Sequence, residues 1–190
     1  MQTNLQKTIG NFFGIDTESA ENMVSLFKEE HLYKNEFFVK KGQYCDRLSF
    51  VKNGFIRIYA ESGDKEITQW ISGPDYFVTE LSSYLFGQRS RFNLCAISDC
   101  TLYTIKKSDY QKLEKIIPNW PSIENQFISS CFITLEDRVF NLLSLSAEER
   151  YDKLFEQNSA LFNHVPLQDI ASMLGMSPET FSRIRNRKIS

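Results

Sequence analysis

Residues 167–188 read LQDIASMLGMSPETFSRIRNRK, and this stretch decides how the carboxyl-terminal part of the chain folds. Apolar residues recur up to Leu174 at the spacing of one helix face, and Gly175 can then adopt the left-handed backbone that a sharp turn requires. Ser177 can cap a second helix, and Pro178 suits its first position because no intrahelical bond is lost there. The stretch therefore predicts two short helices joined by a tight turn, which is the sequence form of a helix-turn-helix.

The second predicted helix, which begins after Ser177, has one apolar and one polar face. Phe181 and Ile184 point inward, whereas the outward residues are polar or charged. Arginine and asparagine can make paired hydrogen bonds to base edges, and further basic groups can hold phosphates. We therefore predict double-stranded DNA as a partner, with a solvated helix that closes a small helical hairpin as the alternative. The candidate DNA-binding residues are Ser177, Glu179, Ser182, Arg183, Asn186 and Arg187.

Positive charge is concentrated in this last segment. The whole chain of 190 residues has a formal net charge of −2, so its bulk composition neither favours nor excludes a nucleic acid. Residues 177–190 hold four basic side chains and one acidic side chain, a net charge of +3, which leaves −5 for residues 1–176. The basic charge therefore lies where a DNA-reading helix presents it.

Several functional classes lack the residues that they require. No run approaches the roughly 18 apolar residues of a membrane span, and the amino terminus has no apolar signal core, so we expect a cytoplasmic protein without a membrane partner. The two histidines, His31 and His164, lie outside the predicted strands, which argues against a cupin-like metalloenzyme. Nucleophile-elbow, Walker and dinucleotide motifs are also missing, so we expect no enzyme. Without a C-x-x-C pair we expect no metal site, and buried free thiols at Cys45, Cys95, Cys100 and Cys131.

Three patterns follow each other along the chain and predict an α+β fold. Residues from about 2 to 30 have helical periodicity around a break at Gly14, whereas residues 36–106 hold short β-branched and aromatic runs typical of a β-roll or jelly roll. Pro121 marks the start of a long helix to about residue 145, and a capping box at Ser146 opens the last helices. We expect a β-roll sensor domain in residues 1–118, a long connecting helix in 119–145 and a helix-turn-helix domain in 146–190.

The long helix carries an apolar seam with steps of 4, 3, 4 and 3 residues, which is typical of a coiled coil. This seam predicts pairing with a second copy of the chain, and a core helix within one copy is the alternative because only two heptads are present. A second apolar set on another face of the helix, formed by Ile123, Phe127 and Cys131, can pack against the β-roll. The candidate dimer-interface residues are Ile128, Phe132, Leu135, Val139 and Leu142.

In this order, the parts resemble the CRP/FNR superfamily, named after the cyclic-AMP receptor protein and the fumarate-nitrate regulator. The resemblance covers nearly the whole chain and is carried by residues 38–42 (FVKKG), 51–58 (VKNGFIRI), 73–81 (GPDYFVTEL), 96–105 (AISDCTLYTI) and 170–184 (IASMLGMSPETFSRI). It implies a homodimeric transcription regulator with a cyclic-nucleotide-binding-like β-roll, which binds a palindromic operator and has RNA polymerase as a further partner. Glu179 and Arg183 match the base-contacting positions of the family.

The sequence departs from the family pattern in the ligand pocket. Cyclic-nucleotide binders hold the ligand with a Gly-Glu-Leu helix start and a following arginine; here Glu80 and Leu81 remain, Thr79 replaces the glycine and Ser90 stands at the arginine position. Neighbouring strand residues point to opposite faces, so we expect the adjacent arginines to turn away. We therefore expect a small-molecule effector other than cyclic AMP or a purely structural β-roll, with Glu80 as a helix cap in the alternative reading. The candidate ligand-binding residues are Thr79, Glu80, Leu81, Arg89, Ser90, Arg91 and Phe92.

A second departure from the family lies at the carboxyl end. Family members commonly continue into a β-hairpin wing, whereas this sequence has two residues after Lys188. Without the phosphate contacts of a wing, we expect weaker nonspecific DNA binding with a shallower salt dependence. The alternative function is therefore a protein-interaction module whose helix-turn-helix no longer binds DNA.

Overall fold

The computed structural model describes residues 4–189, in which helices flank a strand-rich middle. The helices are α1 (Asn4–Phe13), α2 (Thr17–Val24), α3 (Leu81–Phe86), α4 (Lys107–Tyr110), α5 (Leu113–Ile116), α6 (Trp120–Ser144), α7 (Ala147–Asn158), α8 (Leu161–His164), α9 (Leu167–Met173) and α10 (Pro178–Ile189). The strands are β1 (Lys28–Leu32), β2 (Phe37–Val39), β3 (Arg47–Asn53), β4 (Ile56–Ser62), β5 (Lys65–Ser72), β6 (Phe77–Val78), β7 (Asn93–Ala96) and β8 (Cys100–Lys106). This order confirms the predicted α+β fold.

The strands form two antiparallel sheets that enclose a common core. The first sheet has the order β1-β8-β3-β6 and the second has the order β2-β7-β4-β5. Val51 and Leu102 of the first sheet pack with Ile56 and Leu94 of the second, and all four are fully buried. Because successive strand residues point to opposite faces, the neighbouring Phe50 faces a different core.

That other core joins the first sheet to the amino-terminal helices and to the start of α6. Phe13 of α1 stands 4.8 Å from Phe127 and 5.6 Å from Trp120 between ring centroids, and all three side chains are buried. Ile123 packs against the same cluster, as the sequence predicts. Cys131 is exposed, so the prediction of a buried thiol is wrong there, because residues 129–137 of α6 extend beyond this core.

Two strands differ from the sequence prediction. Residues 28–30 were expected to end the amino-terminal helical region, but they begin β1, which pairs with β8 from Lys28↔Thr104 to Leu32↔Cys100. The sequence of β1, KEEHL, has little strand propensity, so the pairing with β8 determines its conformation. The two-residue strand β6 is too short for any periodic signal. The predicted break at Gly14 is present, and Asp16 caps α2 by accepting a hydrogen bond of 2.8 Å from the Ser19 N–H.

The carboxyl-terminal helices share their core with the second sheet. Phe55 and Ile71 of the sheet region lie in one buried cluster with Ile170, Phe181 and Ile184 of α9 and α10. The predicted capping box opens α7, because Ser146 and Glu149 exchange hydrogen bonds between side chain and backbone. The helices that follow are therefore fixed both to each other and to the β-roll.

Candidate nucleic-acid interface and ligand pocket

The turn between α9 and α10 is built as the sequence predicts. Gly175 has a φ of +67°, and the Met176 N–H donates to the Ala171 carbonyl at 3.0 Å, which closes the turn. Ser177 caps α10, since the Thr180 N–H donates to its Oγ at 3.2 Å and the Phe181 N–H donates to its carbonyl at 3.0 Å. These bonds fix the direction in which α10 leaves the turn.

The inner face of α10 is anchored by an aromatic cluster. Phe181 is 1% exposed, and its ring centroid lies 5.3 Å from that of Tyr151 and 6.0 Å from that of Phe162. Ile184, one turn further along, is also buried. Burial of this face leaves the opposite face of α10 on the surface.

All six candidate DNA-binding residues are exposed. Arg183 lies along the helix, with its Nε donating to the Glu179 carbonyl at 3.4 Å. Side-chain hydrogen bonding with Ser177 lowers the pKa of the Glu179 carboxyl. The basic end of α10 faces α7, where Arg187 lies 3.8 Å from Glu148, and Lys188 forms ion pairs with acidic residues of α7.

A set of polar contacts fastens α9 to the β-roll. The Arg57 Nε of β4 lies 3.3 Å from the Asp169 carboxylate of α9, and their side chains are only 11% and 7% exposed. The Thr68 N–H of β5 donates to the Ser172 hydroxyl at 2.9 Å. Burial raises the pKa of Asp169, and the Arg57 charge opposes this shift. No periodicity or motif in the sequence marks these contacts, because they join residues about one hundred positions apart.

The candidate ligand residues gather around the start of α3. Glu80 is 3% exposed and caps α3, accepting a hydrogen bond of 2.7 Å from the Ser83 N–H and a further one from the Ser82 hydroxyl. Glu80 therefore caps a short helix, as the alternative interpretation of the sequence proposes. Arg91 approaches to 3.6 Å between its Nε and the Glu80 carboxylate. The expectation that Arg91 turns away is wrong, because β7 begins only at Asn93 and strand alternation does not apply before it.

The other candidates at this pocket are held by backbone groups. The Arg89 guanidinium donates to the Gly42 carbonyl at 2.8 Å, and Ser90 is buried with its hydroxyl donating to the Phe92 carbonyl at 2.7 Å. Thr79 donates its hydroxyl to the Arg47 carbonyl at 2.9 Å, and Leu81 is exposed. Of the two candidate arginines, Arg91 therefore lies beside the Glu80 carboxylate and Arg89 is bound to a backbone carbonyl.

The part of the chain that the structure describes contains no group of three or more His, Cys, Asp or Glu side chains placed to hold a metal ion. None of its helices combines the length and the apolar character needed to cross a membrane.

Comparison with known proteins relates this geometry to a family. Residues 29–115 match the family model of the cyclic nucleotide-binding domain. No curated protein matches the chain in sequence. Similar solved structures include the c-di-GMP responsive global regulator CLP of Xanthomonas campestris, which is 19% identical with a TM-score of 0.67 over 90% of this chain and 91% of that chain.

Two further structures are similar over most of their lengths. The catabolite activator protein of Thermus thermophilus is 22% identical, with a TM-score of 0.59 over 93% of this chain and 84% of that chain. A transcriptional regulator of the CRP/FNR family from Eubacterium rectale is 19% identical, with a TM-score of 0.67 over 96% of this chain and 88% of that chain. All three of these proteins are named as regulators or activators. Residues 29–115 thus match the cyclic nucleotide-binding domain, and the chain as a whole has a fold similar to that of the CRP/FNR transcription regulators.

Proposed function

We propose that the chain is a homodimeric regulator that binds a palindromic DNA operator through α10. The observation that carries this proposal is the exposure of all six candidate residues on a helix whose opposite face is buried. In this proposal residues 1–118 form the sensor domain, 119–145 the dimerisation helix and 146–190 the DNA-binding domain. Two copies of α10 related by a two-fold axis would read half-sites about 34 Å apart, which is one turn of DNA.

Arg183 is the residue on which DNA recognition depends most in this proposal. Its guanidinium lies on the exposed face, where it can donate two hydrogen bonds to a guanine edge. We expect Arg183→Glu to weaken binding to a duplex selected from random sequences by the unaltered protein. The expected loss is about 1–3 kcal/mol or more, roughly 5- to 150-fold, in a mobility-shift titration.

Lys115→Glu is the matched control for Arg183→Glu, because it reverses an exposed positive charge on α5, away from α10. We expect it to leave the affinity for DNA nearly unchanged. Equal affinities of the Arg183 variant and the unaltered protein contradict the proposed interface, as does failure to select any duplex. That second outcome favours the protein-interaction alternative.

The middle of α6 supports pairing of two copies. Ile128 is half-buried against the amino-terminal core, whereas the rest of the predicted seam is exposed. Ile133, Phe140 and Leu143, which the sequence prediction omitted, are 56%, 68% and 83% exposed and widen the apolar surface of α6 beside the seam. Adjacent large apolar residues on the surface of one helix are typical of an interaction site. The exposed large apolar residues in this stretch are Phe132, Ile133, Leu135, Val139, Phe140, Leu142 and Leu143.

Val139→Glu tests this dimer interface. Each copy would bury a carboxylate without a partner, at a cost of about 1–3 kcal/mol, and a two-fold interface contains the change twice. We therefore expect the dissociation constant of the dimer to rise at least about 30-fold in sedimentation equilibrium. Ser130→Glu is the control, because 100° per residue places Ser130 on the opposite side of the helix from Val139. A monomeric unaltered protein, or equal effects of both variants, contradicts the interface.

A further inference from the structure

A cavity of about 220 Å³ lies where α6, α7 and α9 meet β5, away from the candidate ligand residues around α3. This volume is many times the roughly 10–15 Å³ that one water molecule requires, so the cavity has room for a small ligand. The walls combine apolar side chains, among them Leu142 and Leu154, with the Trp70 indole and three basic side chains. The three bases are Arg138, Arg150 and Lys153.

Arg138 is the central polar group of this cavity. Its Nη2 donates to the Met173 carbonyl at 2.9 Å, and its guanidinium lies over the Trp70 ring, 5.2 Å from the centroid. Within residues 4–189, no carboxylate forms an ion pair with Arg138. Partial burial of the guanidinium lowers the pKa of Arg138. A guanidinium has five N–H donors, and the bond to Met173 uses one of them. Arg138 therefore keeps N–H groups that can bind an anion in the cavity.

The other two cations are also bound only by neutral acceptors. Arg150 donates through Nε to the Leu174 carbonyl at 2.9 Å and through Nη1 to the Leu145 carbonyl at 2.7 Å. Lys153 donates to the Asn141 side-chain oxygen at 3.0 Å. Among the lining residues Asp137 alone is acidic, so the lining has a net charge of +2. A concave site with this excess charge attracts anions.

We propose that this cavity binds a small organic anion, a carboxylate or a phosphate ester, which carries a planar group. The anionic group accepts hydrogen bonds from Arg138 and Lys153, and the planar group lies among Trp70 and the neighbouring leucines. Two of the cations also hold the last carbonyls of α9, at the base of the helix that positions α10. Ligand binding would therefore compete with contacts that orient α10; this regulatory consequence rests on the proposed function, whereas binding itself does not.

Isothermal titration calorimetry with phenyl phosphate, benzoate and cyclic AMP tests the proposal on the full chain without DNA. We expect phenyl phosphate or benzoate to bind, and the neutral benzyl alcohol not to bind; the stronger of the two anions identifies the charged group as phosphate or carboxylate. Arg138→Gln is expected to weaken this binding at least tenfold. Lys153→Gln is expected to weaken binding of the anion several-fold. Because Lys153 is exposed, this variant tests the cavity even if Arg138→Gln does not fold.

Arg91→Gln is the control, because it alters the arginine beside Glu80 in the β-roll and leaves the cavity intact. Absence of binding by both aromatic anions at millimolar concentration overturns the proposal. If an anion binds to Arg138→Gln but not to Arg91→Gln, the proposal is overturned and the ligand lies in the β-roll. The same conclusion follows if cyclic AMP is the only ligand that binds and its binding is lost only in Arg91→Gln. DNA binding without anion binding removes this site and leaves the proposed function intact, so the two failures are distinguishable.

Discussion

Phe181→Ala is expected to lower the free energy of unfolding by about 3–5 kcal/mol, because it removes a buried aromatic ring and leaves a cavity in the core. Phe181 is 1% exposed and packs between Tyr151 and Phe162 in the cluster that fixes α10. Urea denaturation followed by far-UV circular dichroism measures this loss. The protein concentration must be the same for each variant, because the unfolding of a dimer depends on it.

Phe155→Ala is the matched control within the same aromatic cluster. The Phe155 ring lies 5.1 Å from that of Phe162, but its side chain is 47% exposed. Phe155 buries less apolar surface on folding than Phe181 does, and solvent can fill the space that its truncation leaves. We therefore expect the free energy of unfolding to fall by roughly 1 kcal/mol. Equal losses for the two variants contradict the assignment of Phe181 as the anchor of α10.

Gly54→Ala is expected to destabilise the β-roll by about 2–5 kcal/mol. Gly54 has a φ of +89°, and an added Cβ would stand 2.4 Å from the Asp99 carbonyl oxygen and 2.6 Å from the Cys100 Sγ. The left-handed backbone costs an alanine about 1–2 kcal/mol, and overpacking against these atoms adds about 1–3 kcal/mol. Thermal and urea unfolding measure the change.

Gly63→Ala separates the cost of the left-handed backbone from the cost of overpacking. Gly63 occupies the next hairpin turn with a φ of +60°, and no atom lies within 4 Å of an added Cβ. We therefore expect only the backbone contribution, about 1–2 kcal/mol. If Gly54→Ala costs no more than Gly63→Ala, the turn at residue 54 can move away from Asp99, and its close approach is not required for stability.

Local signals account for the parts of the fold that the sequence predicts well. Gly175, Ser177 and Pro178 determine the α9–α10 turn through backbone conformation and capping, which depend on neighbouring residues only. The same holds for Pro121 near the start of α6 and for the Ser146 capping box. β1 was missed because its polar sequence becomes a strand only through pairing with β8, some seventy residues later. Such pairing leaves no local pattern.

In the candidate sites, too, the sequence predicts features that depend on neighbouring residues and misses contacts between distant ones. The exposure of Arg183 and its neighbours on α10 follows from helical periodicity alone, so the sequence predicts it. The contacts of Arg57 with Asp169 and of Arg138 with Met173 depend on how the last helices pack on the β-roll and α6. At the β-roll pocket, counting positions along a strand misplaced Arg91, because residues 87–92 form a loop. Sequence reasoning therefore identifies candidate residues there but not their partners.

The Arg57–Asp169 contact has a consequence for how α10 can move. Both side chains lie in nearly dry surroundings, where a carboxylate separated from its guanidinium by a few ångströms gains neither a partner nor water. A small displacement of α9 is therefore expected to be less favourable than either full contact with the β-roll or full separation from it, because only these leave Asp169 with a partner or with water. We therefore expect α9, and α10 with it, to leave the β-roll in a single step that hydrates Asp169.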